Sequence, residues 1–432
     1  MPRERYEFVV VGSGAGGATI AKELAERGRD VLVLEKGADE DHVGTFRDAV
    51  RYYDASRVLK RPRRSPEGVI LWRTFMAGGS TVVSCANGIR ALEPELAALG
   101  VDLTATLDAV EDELGVVEMD ESLLSAGTER MREAAADLGY AFRPMPKFID
   151  LEACRRCAHC TLGCPADAKW TARAFVAAAE DAGAAIRYRT EVTALRIEDG
   201  RIVGVTAAGP EGTHEFDADA VILAAGALAT PVLLQRAGIE AGDGLFVDLF
   251  VNVYGVADES GQLLEPQMAL LNDEFHDSEG FILSPYLNVP REVRLMEAGM
   301  RGAVLPLPRT LGLMVKTTDD PAGRVHPNGE VSKPVTEADQ ARLDAGVERA
   351  REILVAAGAD PDSIIVSKPQ GAHPGGTAAI GQVVNADLQT EVEGFHVCDA
   401  SVLPETPGAP PILTIVALAK RLAATLDEDS SP

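Results

Sequence analysis

An apolar run, Tyr6 to Val11, passes straight into the sequence GSGAGG, then into a helical pattern from Ala18 to Arg27 and a second apolar run from Val31 to Leu34. Strand, glycine loop, helix and strand in that order open a parallel βαβ unit, so the chain is committed from its first residues to an α/β sheet with helices packed on it. Gly12, Gly14 and Gly17 supply the G-x-G-x-x-G pattern. Its glycines allow a tight turn, close approach of backbone to a pyrophosphate and close helix packing, with the phosphates on the helix N-terminus. Glu35 ends the second run, 23 residues after Gly12. A carboxylate there can accept hydrogen bonds from ribose hydroxyls and would repel a 2′-phosphate. A glycine turn without a nucleotide is the plain alternative, and the strand, helix and acidic end together weigh against it.

Four cysteines fall inside eleven residues, Cys154, Cys157, Cys160 and Cys164, followed at once by Pro165. The C-x2-C-x2-C-x3-C-P spacing is that of bacterial ferredoxins, in which several thiolates share one soft metal centre, so a 4Fe-4S cluster is the expectation. Zinc is the weaker metal reading, because structural zinc sites usually join two cysteine pairs separated by a dozen or more residues. A reduced, tightly turned loop without metal is the third. His159 reads as exposed filler, and Lys169 and Trp170 either cover the cluster or start a helix on the core. Only Cys85 and Cys398 lie elsewhere, which argues against a disulfide framework and suits a reducing compartment.

The net charge of −26 argues against nucleic acid, whose phosphates would repel it, and suits a medium in which salt screens self-repulsion. The first strand begins too early to leave room for a signal peptide, and no apolar run approaches the roughly 20 residues of a membrane helix, so a cytoplasmic protein is expected. The basic stretch Arg61 to Arg64 reads as a surface loop, and the acidic end at Asp427, Glu428 and Asp429 as a solvated face. Gly78, Gly79 and Ser80 would let backbone lie against a ring system or phosphate, or form an ordinary turn. Further on, Thr171 to Ala182 reads as a helix, and Ile186 to Val192, Leu195 to Ile197 and Ile202 to Ala207 as strands turned at Asp199 and Gly200. Val221 to Ala224 reads as a buried strand that Gly226 turns, and Thr230 with Pro231 starts a helix. A long helix is predicted from Glu337 to Ala356 with Thr336 as N-cap and Asp339 completing a short capping box.

The C-terminal segment reads GAHPGGTAAIG, then GFHVCDASVLPETPGAPPILTIVALAKRLA. With the opening loop, these strings resemble the glucose–methanol–choline family of FAD-dependent oxidoreductases. The resemblance implies FAD as cofactor. It also implies a histidine at the flavin from H-x-x-G-T, here His373 with Gly376 and Thr377, and an acidic residue at the ribityl chain from D-x-S, here Asp399 with Ser401. Gly226 to Ile239 resembles the family's second signature, with Ala237 in place of its usual Ser and Glu240 in place of its final Gly. Val192 joins Gly12, Gly14, Gly17, Glu35, Gly78, Gly79, Ser80, Asp399 and Ser401 as a cofactor-binding candidate. The family places a second His or Asn near the start of the last helix; here stand Ala409, Pro410 and Pro411, none of which donates a side-chain hydrogen bond. Asn87 is one substitute holder of the substrate oxygen.

Alcohol oxidation needs a base within hydrogen-bond reach of the hydroxyl while hydride leaves carbon, and a neutral imidazole suits that task near pH 7, which makes His373 the catalytic candidate. The implied fold is α/β: a Rossmann-like FAD-binding domain from residues 1–241 and 367–432, with an inserted α+β substrate domain over 242–366. The implied activity is oxidation of a CH–OH group of an alcohol or sugar-like substrate. The cluster would pass electrons one at a time to an external protein or quinone, which favours a dehydrogenase over an oxidase. Two rivals are a flavin-dependent reductase of a lipid double bond and a non-catalytic electron-transfer flavoprotein.

Overall fold

The computed structural model describes residues 3–55 and 62–429. Arg61 of the basic stretch lies outside them. The opening unit forms as the sequence demands: strand Glu4–Val11, helix Ala15–Glu26 and strand Val31–Leu34. The helix starts three residues earlier than its apolar pattern, because Gly14 can serve as its N-cap without a side chain. The two strands pair in parallel, Phe8 opposite Val31 and Val11 opposite Leu34. Both are walled in by apolar side chains on each face, as parallel strands under helices are.

These strands centre a seven-stranded sheet. Its order is Ala185–Arg187, Val31–Leu34, Glu4–Val11, Gly212–Leu223, Arg201–Gly209 and Glu191–Glu198, with Phe395–Val397 also on Gly212–Leu223. The last two of the ordered strands are antiparallel and turn at Asp199 and Gly200, as predicted. The predicted strand Ile186 to Val192 is divided instead, since Arg189 adopts a left-handed conformation and Thr190 bonds back to Glu35, which aims Val192 along a new strand. Helix Ala15–Glu26 packs between helices Ala172–Asp181 and Ile412–Asp429 on one face of this sheet.

A second sheet runs in the order Phe281–Pro285, Thr310–Thr317, Leu249–Val256, Gln370–Gly371, Ile70–Leu71 and Arg63–Arg64, with Ile365–Val366 paired on Leu249–Val256. Helix Glu337–Ala356 covers it, burying Leu343, Ala350, Ile353 and Leu354. Its Thr336 side chain accepts from the Asp339 amide and the Asp339 carboxylate accepts from the Thr336 amide, the predicted reciprocal cap. Strands from three distant parts of the chain meet here, so the second sheet and the first are stitched together along the cleft between them.

Candidate active site

That cleft holds a cavity of about 720 Å³, within the range of small-molecule and cofactor sites. The first sheet and its loops supply Gly12, Gly14, Glu35, Val192 and Asp399 to its lining, and the second sheet with its flanking segments supplies Phe250, Met314, Lys316 and His373. The start of the last helix closes it with Pro410, Pro411 and Ile412.

The glycine loop is built as the pattern requires, although its glycines do different work. A Cβ at Gly17 would lie 2.0 Å from the Gly12 carbonyl oxygen, so this residue serves helix packing and does not line the cavity. At Gly14 a Cβ would meet no protein atom within 4 Å. Gly14 therefore has no reason inside the protein to lack a side chain, and it stands at a helix N-terminus facing the cavity. Glu35 is buried; one carboxylate oxygen accepts from the Ser13 amide at 2.9 Å and hydroxyl at 2.7 Å, the other from the Gly37 amide at 2.6 Å. Burial nevertheless holds its pKa above the ordinary carboxylate value, against the pull of those donors. Gly79 and Ser80 line the cavity beside Gly14, while Gly78 turns away and gives its amide to the Ser13 hydroxyl at 3.2 Å.

Asp399 faces the cavity and also ties three segments together. One oxygen accepts from the Gly226 amide at 2.8 Å and the Thr230 hydroxyl at 2.6 Å, the other from the Ser401 amide at 2.7 Å. That explains the Gly226 to Thr230 signature: it is the seat of the carboxylate. Ser401 is fully buried and does not reach the cavity.

His373 lies on the cavity wall with about one fifth of its side chain open. Its Nδ1 stands 2.8 Å from a carboxylate oxygen of Asp248 and 3.2 Å from the ammonium of Lys316. The carboxylate is the stronger claimant on a ring proton, so we assign that proton to Nδ1, which leaves the Nε2 lone pair free as an acceptor. Asp248 is itself fixed, its other oxygen accepting from the Thr406 hydroxyl at 2.8 Å and the Gly408 amide at 3.0 Å. Burial and, next, the Lys316 ammonium hold the His373 pKa below its ordinary value, while Asp248 pulls the other way. Neither Asp248 nor Lys316 was legible in the sequence. The first sits in a plain strand lead-in, the second near the end of a largely apolar strand.

Pro410 lines the cavity at the start of the last helix and has no hydrogen to give. Asn87 also lines the cavity, but its carbonyl takes the Lys147 ammonium at 2.6 Å and its amide points at the Met268 sulfur, a weak acceptor, at 3.3 Å.

The cysteine loop requires a correction. Among the described residues no group of three or more His, Cys, Asp or Glu side chains is placed to hold a metal ion, so the expectation of a cluster on Cys154, Cys157, Cys160 and Cys164 gains no support. The loop's backbone is held by contacts to other segments. The Leu162 carbonyl takes the Gly44 amide at 2.8 Å, the Lys169 ammonium takes the Cys160 carbonyl at 2.9 Å, and Thr161 donates its amide to Gln267 at 3.1 Å. Thr161 and Leu162, rather than the sulfurs, reach the cavity. Trp170 packs edge-on to Phe148 and Phe175, which is the core reading, and His159 is half-buried with Nδ1 2.8 Å from the Gly44 carbonyl. Anaerobically purified protein is expected to carry iron and acid-labile sulfide far below the roughly four per chain of a 4Fe-4S cluster; a stoichiometric content would show that the thiols rearrange around metal.

Among the described residues no helix is long and apolar enough to cross a membrane. Two GMC oxidoreductase family models match the chain, one over residues 6–250 and one over 315–419. An uncharacterized GMC-type oxidoreductase of Mycobacterium tuberculosis is 31% identical, covering 97% of this chain and 75% of its own length. The long-chain-alcohol oxidase FAO3 of Arabidopsis thaliana is 24% identical over 96% of this chain and 67% of its own. Pyridoxine 4-oxidase from Mesorbium loti superposes with a TM-score of 0.76 over 98% of this chain and 99% of its own at 17% identity. Formate oxidase of Aspergillus oryzae gives 0.77 over 100% and 99% at 16% identity. With the Rossmann-type sheet, the second sheet across the cleft and both family models in register along the sequence, the chain belongs to the GMC oxidoreductase family.

Proposed function

We propose that this oxidoreductase binds FAD and oxidises the CH–OH group of an alcohol, with His373 as the base. The observation that carries this reading is the His373–Asp248 pair, 2.8 Å apart, on the wall of the same cavity that holds Gly14 and Glu35. Bound FAD would supply the acceptor for the hydride. Gly12, Gly14 and Glu35 would hold its ADP half; Gly79, Ser80, Val192 and the segment carrying Asp399 would flank it. His373 would take the hydroxyl proton on Nε2 as hydride leaves the carbon. Asp248 would keep the ring oriented and stabilise the positive charge that the ring then carries.

The substrate end of the cavity is lined by Trp72, Phe250, Met268, Tyr286 and Met314. Those side chains favour an alcohol with an apolar chain, and the Arabidopsis relative named for long-chain alcohols supports the same choice. The preference for a dehydrogenase rested on the cluster, and with the cluster unsupported that reason is gone. A base held on Asp248 favours proton removal over the double-bond reductase, which needs a proton donor at this place. The test is anaerobic mixing of the FAD-loaded protein with primary alcohols of about four to twelve carbons. Bleaching of the oxidised flavin band is expected, and subsequent addition of oxygen or of a quinone identifies the acceptor. A flavin that no alcohol of the series bleaches would overturn the reading.

A further inference from the structure

Lys316 is a buried cation in a place where a cation is expensive. It is the penultimate residue of the strand Thr310–Thr317, is only 3% exposed, lines the cavity, and holds its ammonium 3.2 Å from Nδ1 of His373. Burial of such a charge costs several kcal/mol unless it is paired. The carboxylate that acts on it is Asp248, which also serves His373, Thr406 and Gly408. Lysine and histidine therefore share one anion, and the fold tolerates two basic groups side by side at the reacting end of the cavity.

Resting on the alcohol-oxidation reading above, we propose that Lys316 is a positioning residue that keeps His373 neutral, and so able to accept the substrate proton, at pH values where the His373–Asp248 pair alone would already be protonated. The physics is that of three charges. An imidazolium facing Asp248 alone gains an ion pair, which favours the protonated ring and disables the base. With the Lys316 ammonium 3.2 Å from Nδ1, a second positive charge on the ring meets repulsion, and Asp248 acts on the ammonium as well as on the ring. Asp248 can then orient the ring through the Nδ1 proton without also drawing a second proton onto Nε2. The other titratable groups facing this cluster are Cys85 beside Lys316, and His276 and Asp319 beside Asp248. Asp319 is itself paired with Lys333 at 2.9 Å, and His276 places Nε2 3.0 Å from the Pro407 carbonyl, so neither takes over the part played by Lys316.

The sign is fixed by this arrangement. The base works only while neutral, so the rate of flavin reduction falls as pH drops through the His373 pKa. Removing the ammonium raises that pKa, because the repulsion is lost and Asp248 is left unpaired. In Lys316→Met the acid limb of kcat/KM for a primary alcohol is expected to move up by about one pH unit or more, and Lys316→Arg, which keeps the charge, is expected to hold the limb near its original place. The same holoenzymes, labelled at histidine C2, give a second readout by NMR: the His373 ring should titrate at higher pH in Lys316→Met without any turnover. FAD content and the thermal unfolding midpoint identify a variant that fails to fold, in which case Lys316→Gln, which also removes the charge, serves instead. An unmoved limb and an unmoved ring titration in folded Lys316→Met or Lys316→Gln would overturn the proposal. If no alcohol of the series bleaches the flavin of the wild-type protein while the ring titration still moves in Lys316→Met, it is the alcohol-oxidation reading that fails and not the part played by Lys316.

Discussion

Replacing His373 with alanine is expected to slow flavin reduction by an alcohol about 10²-fold or more, with FAD still bound and the protein still folded. The ring touches Asp248 and Lys316 and packs at the cavity wall, so its removal leaves those two as a charged pair and opens space already continuous with the cavity. The loss should fall on the reduction step itself, visible in single-turnover mixing, and not on alcohol binding alone. Asp248→Asn should give part of the same loss, since an amide at that place either accepts the Nδ1 proton weakly or donates to Nδ1 and turns the protonated nitrogen toward substrate. A His373→Ala protein that bleaches at the unaltered rate would remove the base from His373 and with it the whole proton-transfer argument.

How far the sequence foretold this site follows from where each constraint lives. The βαβ opening, the long capped helix and the His373 and Asp399 segments are local, carried by periodicity, a cap or a short motif; the first two form where the sequence put them, and His373 and Asp399 both line the cavity. Asp248 is different. It precedes an apolar strand, takes a positive φ of 49° without being glycine, and owes its place to Thr406 and Gly408 from the far end of the chain. Lys316 is next to last in a strand whose every residue is buried, and a lone lysine in such a position reads as a strand end reaching solvent. Only the pairing of Thr310–Thr317 with Leu249–Val256, and of that strand with Gln370–Gly371, aims it at the histidine. The cysteines illustrate the opposite failure. Their spacing is local and specific, yet Tyr52, Gly44, Lys169 and Gln267, all distant in sequence or on another segment, hold the loop through its carbonyls and amides.

The glycine loop permits a sharper experiment, because two neighbouring glycines are small for opposite reasons. Gly14 has φ −71° and ψ −166°, which any L-residue adopts, and a Cβ there meets no protein atom within 4 Å. Gly14→Ala should therefore leave the apoprotein as stable as before, or more stable by about 0.5 kcal/mol through the reduced freedom of its unfolded chain. Its effect should appear only with cofactor: FAD affinity is expected to fall about tenfold or more, equivalent to about 1.4 kcal/mol, as the methyl group enters the space a diphosphate would use. Gly16 is not one of the three pattern glycines, yet a Cβ there would stand 1.8 Å from the Cys398 carbonyl oxygen, on the strand that leads to Asp399. Neither partner can yield, one being the first turn of a helix buried against the sheet and the other a strand end bonded to Leu223 at 2.7 Å. Gly16→Ala should cost about 3 kcal/mol or more in the apoprotein itself, read as a lowered denaturation midpoint before any FAD is added. Calorimetry of the two apoproteins followed by FAD titration separates the cases. Equal stability of Gly16→Ala and wild type would contradict the close packing of helix on strand. Undiminished FAD affinity in Gly14→Ala would mean that the open space at the helix N-terminus is not where the diphosphate lies, and that the loop's resemblance to a nucleotide cradle is a matter of packing alone.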